Sequence, residues 1–474
     1  MRRAVVAIVL SSASLCALVP SAWAGRAEVI VRKTPEGELI GIDEVESLRY
    51  TAAPGEVNRV RVTFQDPGVF LISDPVGISL GRKCSRPVAG DPTRARCVSS
   101  IGNEAFLLLG DRNDTATSGP SQIGGVFCGA CIFSDMDGGP GNDALSGDQV
   151  RGGEGADALA GAFVRGGKGN DRLSVRPGDS ATFLEGDRGN GSDTIVGGDS
   201  GEDTVSYEGR RRGVSVSLDG RRNDGAPGEN DQITGVESIY GGRGRDRLTG
   251  ESGVNDLRGF GGSDRISGRG GSDTLSGFDE AEPGRGRTRD RITGGTGDDT
   301  IYGSAGSDRV KPGPGQDDLT LYRGNERVNL RDRSIDTVEC GRGRDRVKLD
   351  RQDFAWDRCE RTRRRGAAAA VALATDADAR FEGDPDQPFV TIGCPLDGPR
   401  ACRGTASILL RGRRTARKRF RIRRGRVKEL KFRPSLLRQL EGKPVRIVVR
   451  SRDRRGRRSK RVRRAKFVTA ACCV

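Results

Sequence analysis

From Gly138 onward the apolar residues of this chain come singly and at fixed intervals. Leu145, Leu159 and Leu173 are 14 residues apart, and Leu248, Leu257, Ile266 and Leu275 are nine apart. Ile301, Val310 and Leu319 resume the nine-residue step after a break. Each is expected to point inward from a very short strand. A turn that buries one side chain buries almost nothing alone, so such turns must stack. The flanks have a different pattern. Glu28–Arg32, Val57–Phe64, Val69–Ser73, Gly77–Leu80 and Phe106–Leu109 alternate or cluster like β-strands. So do Ala406–Leu410, Lys418–Arg423, Val427–Phe432 and Val445–Val449, with one helical turn expected at Pro434–Leu440. Val214–Leu218 alternates too, and 221–228 reads as a loop, so 207–240 is read as a hairpin-like insertion from the stack.

The residues around the single aliphatics are as regular. GGPGNDALS starts at Gly138, GGEGADALA at Gly152 and GGKGNDRLS at Gly166. GGRGRDRLT starts at Gly241, and three further nonamers follow without a slip to Gly277. After an insertion at Phe278–Thr293 come GGTGDDTIY at Gly294, GSAGSDRVK at Gly303 and PGPGQDDLT at Pro312. Glycine permits tight or left-handed backbone. The candidate turn glycines are Gly138, Gly139, Gly141, Gly152, Gly153, Gly155, Gly166, Gly167, Gly169, Gly241, Gly242, Gly244, Gly294, Gly295 and Gly297. Carbonyls of such a loop turn toward one point and the aspartate joins them. Hard oxygen ligands of this kind suit Ca²⁺.

On these motifs the segment 138–348 resembles the haemolysin-type calcium-binding repeat, the RTX parallel β-roll. The resemblance implies an all-β fold, a right-handed parallel β-roll or β-solenoid. It also implies that the position-six aspartate ligates Ca²⁺ between turns. Carried over by position, those ligands are Asp143, Asp157, Asp171, Asp246, Asp264, Asp273, Asp299 and Asp308, with Asp193, Asp203, Asp317 and Asp345 as looser matches. Asn255 departs from the pattern and removes one charge. Arg243, Arg245 and Arg247 crowd a single repeat.

Composition sharpens this picture. The 474 residues include 71 Gly and no His. Without histidine there is no His-based acid–base chemistry, no Ser-His-Asp or Cys-His machinery and no His-ligated zinc. The GxSxG string at Gly77–Gly81 and the GDSG string at Gly198–Gly201 therefore lack their base. The chain is expected not to be an enzyme, although a carboxylate-pair glycosidase is compatible with so much Asp. Arg2 and Arg3 precede an apolar stretch, Ala4–Val19, and Ala22-Trp23-Ala24 offers small residues for cleavage. Residues 1–24 thus read as a secretory signal peptide. No later segment is apolar enough for a transmembrane span, so the product is expected to be secreted and extracellular, with cell-surface association as an option. Ten further cysteines lie in close pairs: Cys84/Cys97, Cys128/Cys131, Cys340/Cys359, Cys394/Cys402 and Cys472/Cys473. Export favours disulfides. The first four pairs can close locally, and Cys472 and Cys473 can instead take Cys394 and Cys402.

Charge is the last surprise. The formal charge is +16, yet residues 403–466 hold 28 Lys or Arg against 3 Asp or Glu, leaving the rest at −9. The densest run contains Arg454, Arg455, Arg457, Arg458 and Arg461. It suits an anionic cell-wall polymer or other polyanion, and the lack of interleaved aromatics speaks against specific nucleic acid. The expected organisation is a signal peptide (1–24), an N-terminal β domain capping the roll (25–134) and the calcium-binding roll (135–350). A disulfide-closed end and Gly/Ala linker (351–379) then lead to a basic immunoglobulin-like β-sandwich (380–474). Two functions compete with a non-catalytic calcium-binding repeat protein. One is a surface adhesin or polyanion binder with the roll as spacer, and the other is an exported polysaccharide-acting enzyme.

Overall fold

The computed structural model describes residues 25–33, 44–66, 68–99, 104–119, 133–185, 191–199, 201–278, 288–350, 353–356 and Cys359, plus strands between 361 and 466. Every regular element among them is a β-strand. No helix among the described residues is long and apolar enough to cross a membrane. The chain divides into two compact units, 1–148 and 149–474.

In the first unit, Glu44–Thr51, Glu104–Leu108 and Phe133–Pro140 run parallel. Arg26–Lys33 closes this sheet antiparallel on Glu44–Thr51. Arg59–Asp66, Thr115–Ser118 and Ala144–Ser146 form a second parallel set. That set is closed antiparallel by Val69–Ser73, Arg94–Val98 and Cys84–Ser85. Leu48, Tyr50, Phe70, Ile72, Leu107 and Met136 are fully buried. Cys84 and Cys97 sit opposite each other and are bonded.

The second unit is built from coils. One long parallel sheet starts at Gln149–Glu154 and ends at Phe354–Trp356. Alternate strands go to other sheets. Ala158–Ala160, Arg172–Ser174, Thr194–Val196 and Asp231–Thr234 form one parallel set. Ser215–Ser217 starts another, which runs through Arg247–Thr249, Arg265–Gly270, Arg291–Thr296, Arg309–Lys311, Arg327–Leu330 and Arg346–Leu349 to Arg361–Arg364. The stretch 207–240 therefore feeds all three sheets, because Ser238–Tyr240 joins the long one. The expected hairpin character is confined to Arg222–Asp224, antiparallel to Asp231–Thr234, and the antiparallel Ser215–Gly225 bridge. Arg210 anchors the stretch with an ion pair to Glu229 at 2.5 Å and a hydrogen bond from Nε to the Glu185 carbonyl at 2.6 Å.

The single aliphatics do fill the interior. Leu159, Leu173 and Ile195 stack in one column, Leu257, Leu275 and Ile301 in a second, and Leu248, Ile266 and Ile292 in a third. All nine are buried, each contributing about 1.5–3 kcal/mol. Cys340 and Cys359 are bonded at the far end of the stack, as the cysteine spacing suggests.

The C-terminal residues form two antiparallel sheets. One holds Leu373–Ala374, Phe389–Cys394 and Arg426–Lys431. The other holds Arg413–Arg423, Ala401–Leu410, Pro444–Arg452 and Arg458–Lys466. The signal peptide, Cys128, Cys131, Cys472, Cys473, the turn at Pro434–Leu440, and Arg454, Arg455 and Arg457 lie outside the described residues, as do the side chains of Cys394, Cys402, Arg458 and Arg461.

Candidate calcium sites

Each nonamer turn is shaped by where its glycines sit. The second and fourth positions of the turns ending at Asp171 and Asp299 have φ of +109° and +129° (Gly167, Gly169) and of +138° and +123° (Gly295, Gly297). The first position has another reason to lack a side chain. A Cβ on Gly152, Gly166, Gly268 or Gly294 would overlap the carboxylate of the aspartate five residues on. The turn ending at Asp246 differs, since none of Gly241, Gly242 and Gly244 lies in the left-handed region.

The position-six side chains stand one above another in ladders. In each rung a backbone N–H donates to Oδ1 of the acid in the next coil. In the first unit Asn58 donates to Asp114 at 2.6 Å and Asp114 to Asp143 at 2.7 Å. In the second, Asp157, Asp171 and Asp193 donate in turn to Asp171, Asp193 and Asp231 at 2.8–2.9 Å. Another ladder runs Asn255, Asp273, Asp299, Asp317, Asp336 at 2.9–3.1 Å. A further ladder starts at Val214 and continues Asp246, Asp264, Asp290, Asp308 at 2.8–2.9 Å. Between uninterrupted nonamers the rungs are 18 residues apart, so two nonamers make one coil, whereas the rung from Asp157 to Asp171 spans 14.

One oxygen of each carboxylate is thus spent on the backbone. The other decides what the ladder can hold. Oδ2 of Asp171, Asp193, Asp231, Asp264, Asp273, Asp299, Asp317 and Asp336 is buried with no hydrogen-bond partner. At Asp246, Asp308 and Asp203 it is used, accepting from the N–H of Gly242, Ser304 and Gly198 at 2.6–2.9 Å. Burial pushes the carboxyl groups up: Asp273 to about 7, Asp317 to about 8, Asp264 to about 9 and Asp336 to about 10, with neighbouring carboxylates raising them further. A row of buried carboxylates with one idle oxygen each fits a hard divalent cation, which supplies the charge that burial withholds. The clearest convergence is Asp317, Asp332 and Asp336, whose ligand oxygens lie within 4.8 Å of one another.

Sequence reasoning missed Asp231, Glu237, Glu326, Asp290 and Asp336. Asp231, Asp290 and Asp336 are buried in the ladders, while half-buried Glu237 and buried Glu326 form rungs with Asp203 and Asp345 at 3.0 Å. Their turns lack the full glycine set, although Gly235 and Gly324 keep the fourth position before Glu237 and Glu326. The signal they share with the rest is an acid two residues before the inward aliphatic: Asp231-Gln-Ile233, Glu237-Ser-Ile239, Asp290-Arg-Ile292, Glu326-Arg-Val328 and Asp336-Thr-Val338. Asn255 keeps its rung without a charge. Its Oδ1 accepts from Glu251 N–H at 2.8 Å and its Nδ2 donates to the Glu237 carbonyl at 3.3 Å.

That neutral rung suggests a substitution. Asp273→Asn keeps the acceptor for the Asn255 N–H while deleting a charge that burial disfavours. It is expected to raise the thermal midpoint in chelator at neutral pH and to lower it in excess calcium, read by circular dichroism. The same sign in both conditions would mean that Asp273 holds no cation.

A family model described as the RTX calcium-binding nonapeptide repeat (4 copies) matches residues 232–264, 258–279 and 286–319. The fourteen-residue repeats lie outside the match, although their aspartates share the ladder geometry. No curated protein matches the chain.

Proposed function

We propose that this RTX calcium-binding repeat protein is exported, non-catalytic and completed in its folding by Ca²⁺. The observation that carries the reading is the row of buried carboxylate oxygens without partners, Asp264, Asp273, Asp299 and Asp317 among them. Bound calcium would neutralise the ladders and tie successive turns together, so binding and folding are coupled. Asp171, Asp193, Asp231, Asp264, Asp273, Asp299, Asp317 and Asp336 are the residues placed to hold it. Their own work is to orient one oxygen on the backbone and leave the other for the cation. The leader-like N-terminus and the bonded cysteine pairs support export. External calcium near 10⁻⁴–10⁻³ M then matches the weak end of such sites. Calcium titrated into chelated protein should produce a cooperative gain of far-ultraviolet β signal. No gain at millimolar calcium would sink the reading.

A second reading, an adhesin or polyanion binder, draws on the C-terminal strand Arg413–Arg423. Its Arg417, Lys418, Arg419 and Arg421 are exposed. It predicts salt-sensitive retention on an anionic polymer that disappears with residues 403–466.

A further inference from the structure

One sheet of the coil stack carries a row of arginines that calcium does not explain. The residue after the ladder acid points outward, and strand register places Arg247, Arg265, Arg291, Arg309, Arg327 and Arg346 side by side. All six are exposed, and none forms an ion pair among the described residues. Like charges directly opposite each other destabilise a sheet. The repeat does not impose this cost, because the equivalent positions of the long sheet hold Ser238, Asp256, Thr274, Thr300 and Asp318. The neighbouring outward row on the arginine sheet is Thr249, Ser267, Thr293, Lys311, Asn329 and Lys348. It contains no acid and no aromatic. Beside the arginines lies a groove of about 490 Å³, lined also by Ser263, Ser307 and Asn325 and by the buried ladder acids Asp264, Asp290 and Asp308.

We propose that this face binds a linear anionic polysaccharide, with successive acidic sugars lying across successive strands. Strands repeat every ~4.8 Å, close to the length of one sugar ring, so each ring's carboxylate or sulfate meets one guanidinium. The hydroxyl and amide side chains alongside suit sugar hydroxyls. A nucleic acid fits less well: there is no aromatic for base stacking, and the phosphates of a duplex wind away from a straight row. This surface is separate from the C-terminal basic strands, and it holds whether or not the protein is exported.

The test is arginine footprinting of the full chain in excess calcium. Phenylglyoxal modification of Arg265, Arg291 and Arg309 is followed by peptide mass spectrometry, with exposed Arg59 and Arg61 of the first unit as internal controls. Size-fractionated heparin oligosaccharides should slow modification of the row at least roughly tenfold while leaving the controls unchanged. Protection should grow with oligosaccharide length until the chain spans six strands, roughly 24 Å. The double variant S267E/T293E reverses the local charge but leaves the reporting arginines in place, and it should abolish the protection. Its calcium-induced circular dichroism checks that it folds. Unprotected arginines, or protection that survives the acidic substitutions, would overturn the proposal. Equal protection by a DNA duplex would overturn the polysaccharide assignment.

Discussion

In chelator, acidification from about pH 8 to about pH 5 is expected to raise the thermal midpoint of the coil stack, the reverse of ordinary acid denaturation. The sign follows from the ladders. Burial raises Asp273 to about 7, Asp317 to about 8 and Asp264 to about 9 in the folded chain, from an ordinary 3.8. Between the ordinary and folded values the native state binds more protons than the unfolded one, so stability falls as pH rises. Below about pH 3.8 both states are protonated and nothing more is gained. Calcium inverts the dependence, because protons then compete with the cation for the same oxygens. Melting curves followed by circular dichroism across that range, with chelator and with excess calcium, should show opposite slopes. Parallel slopes would mean that the ladder carboxylates do not take part.

Gly297→Ala should be among the most damaging single substitutions in the chain, costing about 3 kcal/mol or more. Gly297 has φ +123°, and a Cβ there would overlap the carbonyl oxygen of Gly271 in the preceding coil. Neither the strain nor the overlap can relax without separating the coils. Gly178→Ala is the control. Its φ is +86°, but nothing lies within 4 Å of the added carbon, so it should cost only about 1 kcal/mol. Urea midpoints in calcium measure both, and equal losses would show that coil contact is not what Gly297 serves.

Much of the roll was legible because its repeat is short and each position has one job. The inward column, with Leu248, Ile266 and Ile292 stacked as spaced, follows directly from the nine-residue step. The ladders were legible only where glycines flagged the turn, as at Asp171 and Asp299. Asp336 was hidden because its turn is closed by other residues, Arg333 with φ +80° among them, and Asp290 because it falls in the stretch 278–293 that breaks the nonamer register. A left-handed arginine carries no signature in a sequence. Phe260 and Arg269, with φ of +58° and +76°, likewise occupy second positions where glycine was the expectation. The change of sheets at 207–240 was also illegible. Long-range pairing of Ser215–Ser217 with Arg247–Thr249 depends on which coil each strand joins, and local alternation does not encode that. The arginine row was scattered through the sequence as an acid-Arg pair, five times Asp-Arg and once Glu326-Arg327, and only strand register made it a surface.

The coil of two nonamers sets a rule for how such a chain can change length. Adding or deleting 18 residues slides the stack by one storey and leaves every strand in its own sheet. Adding nine would exchange the two sheets for every residue that follows. The cores and ladders would survive such a swap, since both faces are built alike. The arginine face would not, because its charges would be split between two sides of the stack. The parity of the repeat count is therefore invisible to calcium binding and decisive for the surface. A family of lengthened or shortened versions of this chain that keep the row intact would differ only by whole coils.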